Sequence, residues 1–380
     1  MLLTPKGMRT RSVEPMKKKI VNFVLPTPYT GPVGGFKVVF EYANALAARG
    51  WIPYITWPYI PLGEKVPRLM GHPLLWARRR AGHVLRSLYK SHDPSPWFQL
   101  DRRVQSRWAY SLESSDIPDA SAVVATWWET AEYVARLPGN KGKKYYLIQH
   151  LETWGGPEDR VMATWKLPLR KIVIAKWLRS IADGLGESCT YIPNGLDFAS
   201  FGIDVPPERR RRDRLMMLFH NSDWKGSEDG LRATEIARSR IPSLELDLFG
   251  TPPPPAGLPG WVSYHRNPPQ RELRSLYNRA AIFVAPSWAE GWPLPPAEAM
   301  QCGCALAATD IGGHREYAID QKTALLAPAK RPEALADCIV RLATDPDLRV
   351  AIACNGRSHV KQFTWARATE ALENALKTGT

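Results

Sequence analysis

The stretch Ala285–Tyr317 reads APSWAEGWPLPPAEAMQCGCALAATDIGGHREY. It begins at the end of an apolar run of strand length, Ala280–Pro286, and passes through a Gly-Trp-Pro-Leu-Pro-Pro turn. A helix is predicted to open around Ala297–Met300. A strand feeding a turn and then a helix N-terminus makes an anion site, because unpaired N–H groups and the positive end of the helix dipole face the same way. Proline suits the first helical positions, where its missing N–H is no loss. Pro293, Pro295 and Pro296 cannot donate, so the donors fall to Gly291, Trp292, Leu294 and Ala297. Two carboxylates, Glu290 in the loop and Glu298 on the first turn, are separated by seven residues. The plainer reading is that Glu298 balances the helix dipole and Glu290 lies on the surface.

Outward from this stretch the chain alternates short apolar runs with helix-like segments, the pattern of parallel α/β architecture. Leu215–Phe219, Leu244–Phe249, Trp261–Tyr264, Ile282–Ala285, Ala305–Ala308 and Ala324–Leu326 read as strands, with helices over Ser227–Ser239, Gln270–Arg279 and Pro332–Thr344. An earlier series comprises Lys19–Leu25, Trp51–Trp57, Ala122–Thr126, Lys144–Gln149, Lys171–Ala175 and Cys189–Ile192. Phe36–Arg49 has apolar residues at helical spacing and Gly50 as its stop. The region 60–115, rich in Pro and Arg, gives no clear elements. Composition shifts toward charge and proline near Phe198–Arg214, which is taken as the boundary. Residues 18–200 are expected to form one domain and 201–362 a second, with a ligand cleft between them at the carboxyl ends of strands.

The chain has 380 residues and a formal charge of +14, which calls for an anionic partner. No helix-turn-helix, zinc-finger or aromatic RNA-binding motif is present, so nucleic acid is not the expected one. GHPLLWARRRAGHVLRSLYK (71–90) mixes Arg78, Arg79 and Arg80 with Leu74, Leu75, Trp76, Val84, Leu85 and Leu88. Its 74–90 part suits either a peripheral membrane contact or a helix packed on its own domain. Arg209–Arg212 is expected in an exposed linker. The N-terminal segment is basic without an apolar signal core, which reads as a leader rather than a secretory signal. Five cysteines in no pairing framework fit a reducing cytoplasm. Cys302 and Cys304 read as small buried residues, with no other ligand at metal spacing.

The segment Ala285–Tyr317, with Gly312, Gly313 and Glu316 as a Gly-Gly-x-x-Glu element, resembles the signature of the retaining glycosyltransferases of GT-B fold in the large family numbered four. Other stretches resemble that family in the same order. TGPVGGFKVVFEYANALAARGW (Thr30–Trp51) is similar to its first glycine-rich loop and helix, where Gly34 and Gly35 let the backbone approach donor phosphate or acceptor. YYLIQHLETW (Tyr145–Trp154) is similar to the segment bearing its active-site histidine, here His150. YIPNGLDFASF (Tyr191–Phe201) matches its Pro-Asn-Gly element. LMMLFHNSDWKGSEDGL (Leu215–Leu231) matches its diphosphate-gripping loop, with Lys225 retained and His220 where the family has arginine. Pro293 stands where the family commonly has glycine. FTWARATEALENAL (Phe363–Leu376) resembles the helix that crosses back to the first domain, which assigns 363–380 there.

The resemblance implies an α/β GT-B fold of two Rossmann-like parallel-sheet domains facing across a cleft. It also implies a hexosyl- or deoxyhexosyltransferase that acts with retention and without metal. The nucleotide-sugar would be a substrate, leaving no cofactor, and the acceptor a glycan, a lipid-linked glycan or a small molecule. Lys225 and loop N–H groups would meet the charge on the leaving diphosphate. His150 would contact the transferred sugar, Glu290 its hydroxyls and Glu298 the ribose. Donor contacts would come also from His220, Gly291, Trp292, Leu294, Gly34 and Gly35. Polysaccharide or glycoconjugate synthesis in the cytoplasm, at the inner face of the membrane where the basic region touches it, is the expected setting. A phosphorylase or epimerase on the same fold, a nicotinamide enzyme and a nucleic-acid-binding protein are the alternatives.

Overall fold

In a computed structural model the described residues are 19–27, 31–64, 73–88, 94–95 and 97–378. The basic leader and the end of the basic stretch at 89–90 lie outside them. Seven strands make the first sheet: β1 (Ile20–Val24), β2 (Ile52–Pro58), β3 (Gln105–Ala109), β4 (Ala122–Ala125), β5 (Lys143–Ile148), β6 (Arg170–Val173) and β7 (Cys189–Tyr191). Six make the second: β8 (Arg214–Leu218), β9 (Glu245–Gly250), β10 (Val262–Arg266), β11 (Ile282–Ala285), β12 (Ala305–Thr309) and β13 (Leu325–Ala327). Five helices belong to the first series: α1 (Gly34–Ala48), α2 (Pro73–Leu88), α3 (Trp128–Arg136), α4 (Glu158–Thr164) and α5 (Lys176–Gly184). Six follow: α6 (Ser227–Arg240), α7 (Gln270–Arg279), α8 (Leu294–Gln301), α9 (Pro332–Thr344), α10 (Pro346–Val360) and α11 (Trp365–Thr378).

Both sheets are parallel throughout, with strand orders β3-β2-β1-β4-β5-β6-β7 and β10-β9-β8-β11-β12-β13. Each order reverses once, between β1 and β4 and between β8 and β11. In doubly wound sheets that reversal opens a crevice at the carboxyl ends, where ligands bind. The central strands are apolar on both faces because helices cover both: every residue of β4, β11 and β12 is buried. Gly50, at φ 83°, ends α1 in the left-handed conformation a helix stop favours.

The unparsed region supplies α2 and the edge strand β3. Neither carries a legible pattern: α2 has no buried residue, and β3 (QSRWA) buries only its last two. Helix α8 opens at Leu294, three residues before the expected start. Pro295 and Pro296 sit in its first turn, so Glu298 is its fifth residue. The basic run also departs from an exposed linker. Arg210 is buried, and its guanidinium donates to the carbonyls of Val205, Tyr277, Ala280 and Cys302. Arg211 pairs with Asp213 and Glu245. Cys302 and Cys304 are buried free thiols.

Helix α11 lies on the first domain. Glu373 accepts from Arg49 Nη1 and Trp51 Nε1, both at 3.1 Å, and the Tyr145 hydroxyl donates to the Ala375 carbonyl at 3.0 Å. Gly195 leaves room for this crossing, since a Cβ there would lie 2.4 Å from the Trp365 nitrogen.

Candidate active site

The chemistry-bearing residues gather where the carboxyl ends of the two sheets meet. After β8 the chain runs through His220 to a 3-10 turn, Asp223–Lys225, and then to Gly226 at φ 62°. A Cβ on Gly226 would lie 2.2 Å from the Pro286 carbonyl, so glycine brings the Lys225 turn directly against the loop after β11. Lys225 Nζ donates to both Glu290 oxygens, at 2.8 and 2.9 Å, and the Ser287 hydroxyl donates to Oε1 at 2.9 Å. Glu290 is 9% exposed. Burial alone would raise its pKa. The Lys225 charge and hydrogen bond, His314 and Ser287 outweigh that and hold the carboxyl below its ordinary value.

The first domain reaches this pair through the end of β5. Gly291 passes so close that a Cβ would stand 1.8 Å from the Gln149 carbonyl oxygen. On the same seam Trp177 Nε1 donates to the Gly291 carbonyl at 3.1 Å, and the His150 ring meets Trp177 edge-on at 5.7 Å. Burial pushes the His150 pKa down; Glu290 and the Ala289 backbone oppose this while Lys225 adds to it. His220 is lowered likewise by burial and by Lys225, and its Nδ1 accepts the Ser222 N–H at 3.0 Å. Both imidazoles are therefore neutral near pH 7, and Lys225 is the cation of the site.

Three further carboxylate or imidazole groups complete the frame; the sequence named Glu298 and Glu316, but not His314 or the Lys37 that pairs with Glu298. His314 is wholly buried beside Glu290, with Nδ1 at 2.8 Å from the Thr309 carbonyl. Gly313 makes this possible, since a Cβ there would lie 2.5 Å from the Glu290 carbonyl. Glu316 spans the seam, accepting the Lys176 N–H at the start of α5 and the Tyr191 hydroxyl. Glu298 is 5% exposed and accepts Lys37 Nζ from α1 at 2.8 Å and the Tyr277 hydroxyl at 3.3 Å. Lys37 also has Glu41 and Asp197 nearby, and burial pushes Glu41 up to about 7.

The remaining glycines and loop residues fall as follows. Gly34 opens α1 with free space around it, and Gly35 packs on Gln149, whose Nε2 donates to the Gly35 carbonyl at 3.2 Å. The ring of Trp292 is buried against Tyr317 and Phe363, and Leu294 is buried too. Among the described residues no group of three or more His, Cys, Asp or Glu is arranged to hold a metal ion.

Glu152, two residues past His150, holds the rim of the site. At φ 65° it is in a region uncommon for a residue with a side chain, and it is buried. Its Oε2 accepts the Trp128 N–H at 2.8 Å and the Tyr146 hydroxyl at 3.3 Å. Burial raises its pKa to about 8 despite those two donors. A carboxyl raised this way stabilises the fold fully below its unfolded value and loses that contribution as pH rises through the folded one. Glu152→Gln keeps an acceptor without the charge. Its Tm is expected to gain on the wild type as pH rises from about 6 to about 9, read by thermal melts across that range; a gap independent of pH refutes the buried-acid assignment.

Residues 256–359 match the family model described as Glycosyl transferases group 1. A D-inositol 3-phosphate glycosyltransferase of Actinosynnema mirum is 36% identical over 206 residues, covering 48% of this chain and 49% of that relative. An O-antigen chain mannosyltransferase B of Escherichia coli is 32% identical over 118 residues, 31% of this chain and 30% of that relative. The chain thus spans half or less of the length of these curated relatives. Sucrose-phosphate synthase from Thermosynechococcus elongatus superposes with a TM-score of 0.68 at 17% identity, covering 95% of this chain and 99% of that one. HepE of Anabaena, solved in complex with UDP-glucose, gives a TM-score of 0.68 at 14% identity, covering 94% and 99%. The fold is GT-B, as expected from the sequence, and the resemblance to group 1 glycosyltransferases holds.

Proposed function

We propose that this chain is a glycosyltransferase that moves a sugar from a nucleotide-sugar to an acceptor hydroxyl, with retention of anomeric configuration. The observation that carries the reading is the meeting of the Lys225–Glu290 pair, at the reversal point of the second sheet, with His150 at the end of β5. The leaving diphosphate develops negative charge. Lys225, which Glu290 must release or share, and the N–H groups of Gly291, Trp292, Leu294, Gly34 and Gly35 answer it. His220, neutral, adds a hydrogen bond where an arginine would add charge. Glu290 holds donor-sugar hydroxyls, and His150 lies against the sugar near its reacting carbon. The acceptor hydroxyl attacks from the face the nucleotide leaves and passes its proton to the departing phosphate. Glu298 takes the ribose hydroxyls, for which Lys37 must yield or share its carboxylate. No metal is assigned a role, so transfer should withstand EDTA.

A thermal-shift screen across nucleotide-sugars tests the donor, since a ligand of the native state raises its apparent stability; UDP-sugars come first because HepE was solved with one. NMR of the product anomer tests retention. A donor that binds and is turned over without an acceptor hydroxyl, or only with inorganic phosphate, would point to an epimerase or phosphorylase.

The basic region carries a second element of the reading. Leu74, Arg78, Ala81, Leu85 and Leu88 form one exposed stripe of α2, with Leu74 87% and Leu88 72% exposed. On its other face Arg80 lies 3.7 Å from the Tyr110 ring centre, and Arg79 pairs with Glu64. No helix among the described residues is long and apolar enough to cross a membrane. Peripheral binding to an anionic surface suits this stripe, with a lipid-linked glycan as acceptor in polysaccharide or glycoconjugate synthesis. Flotation with vesicles containing phosphatidylglycerol should capture the wild type and lose Leu74→Ser/Leu88→Ser; equal flotation of both would rule α2 out as the contact.

A further inference from the structure

Beside the Lys225–Glu290 centre the two domains meet through tryptophan. Trp154 stacks on Trp224 of the other domain, with ring centres 5.1 Å apart and planes 23° off parallel. On its own side it meets Trp127 at 5.1 Å and the His150 ring edge-on at 6.4 Å. Burying a large aromatic is strongly favourable, yet Trp154 is 52% exposed. Its setting is built for it. Gly155 and Gly156 lie against Trp127 and Trp128, where a Cβ on either would come within 2.4 Å of an indole carbon. Glu152 fixes the turn beneath through the Trp128 N–H.

The charges around this aromatic wall are already engaged. Lys225 is paired with Glu290 and is assigned to the donor diphosphate. Arg160 is held by Glu132 through two bonds, at 2.9 and 2.7 Å, and lies over Trp128. Lys330 sits 4.3 Å from the centre of the Trp288 ring. Carboxylates stand at the indole edges: Glu129 accepts Trp127 Nε1 at 3.3 Å, and Asp229 accepts Trp288 Nε1 at 2.7 Å. Flat apolar faces edged by hydroxyl acceptors suit the C–H face and hydroxyl rim of a pyranose. They do not suit a phosphate. We propose that Trp154, backed by Trp127 and bridged to Trp224, is the acceptor platform, and that the ring it takes is a neutral saccharide rather than a phosphorylated polyol. This rests on the glycosyltransferase reading and names the acceptor class for the same site. Trp224 covers one face of Trp154, so the acceptor takes the exposed remainder of that ring, and Trp224 links the platform to the turn that carries Lys225.

The test uses the intrinsic fluorescence of the full chain. It is titrated with neutral probes (methyl glucosides, methyl mannosides, N,N′-diacetylchitobiose) and with myo-inositol 1-phosphate. At least one neutral probe should give a saturable change whose Kd rises about tenfold or more in Trp154→Ala and less in Trp154→Phe. The thermal shift with nucleotide-sugars should be equal in all three proteins. The proposal falls if no neutral probe binds, if only the inositol phosphate does, or if Trp154→Ala binds the neutral probe as the wild type does. It falls equally if both variants lose the nucleotide-sugar shift. A wild type that binds neutral glycosides but no nucleotide-sugar would remove the donor reading and leave the platform standing.

Discussion

Lys225→Ala should lower kcat for sugar transfer by about 10²–10³-fold while circular dichroism stays that of the wild type. The reason is that in the proposed reading Lys225 is the cation that meets the diphosphate, the nearby His220 and His150 being neutral. A second consequence concerns stability. Glu290 is left buried with only Ser287 donating to it, and removing one partner of a buried pair is strongly destabilising. In the wild type the carboxyl lies below its ordinary pKa, so its contribution is present above the ordinary value and lost as pH falls through the lowered one. In the variant burial is opposed only by Ser287 and His314, and the preference is expected to reverse. The Tm gap between the two proteins should therefore widen as pH rises from about 4 to about 7. Full activity in Lys225→Ala, or in the companion Glu290→Ala, would sink the assignment of the site.

Gly291→Ala adds one methyl group and is expected to act almost as severely. The new Cβ would stand 1.8 Å from the Gln149 carbonyl, against a backbone atom that has no rotamer to yield. Either the β5 end or the Glu290 loop must retreat, and both carry site residues: His150 follows Gln149, and Glu290 precedes Gly291. A misplacement of about 1 Å in such a constellation lowers the rate by roughly 10²-fold. Gly184→Ala, at the C-terminal end of α5, is the control, because nothing lies within 4 Å of its added Cβ. Transfer assays and thermal melts of the two variants check this. Equal activity in Gly291→Ala and the wild type would mean that the tight seam is not needed for catalysis.

Much of this was legible in the chain. Central parallel strands such as IFVA and ALAAT announce themselves as apolar runs, and Gly50 marks a helix end. The elements that stayed hidden lack a buried face: α2 has no buried residue, and β3 is a polar edge strand. Glu290 and Lys225 were readable from motif spacing, though not their bond to each other, which depends on Gly226 packing against Pro286. His314 stood in plain view between Gly313 and Arg315. Only the fold makes it a neighbour of Glu290, through a contact that the absent Gly313 side chain permits. Lys37 was missed for a related reason, since its partner Glu298 is 261 residues away. Trp154 gave one faint signal, the Trp-Gly-Gly run, whose meaning depends on the two indoles beneath it.

The return of α11 to the first domain has a consequence for how the polypeptide is made. Leu372 and Leu376 of that helix are buried, and Tyr42 of α1 packs edge-on against Trp365 at 5.4 Å. The domain that leaves the ribosome first is thus the one finished last. At about 5–20 residues per second, the stretch from Phe201 to Trp365 takes on the order of ten seconds or more to synthesise. Through that interval the surface of α1 waits uncovered while the second domain forms between it and its missing helix. A fragment ending near residue 200 would keep that surface bare for good, and its natural partner for rescue is a peptide carrying residues 363–378.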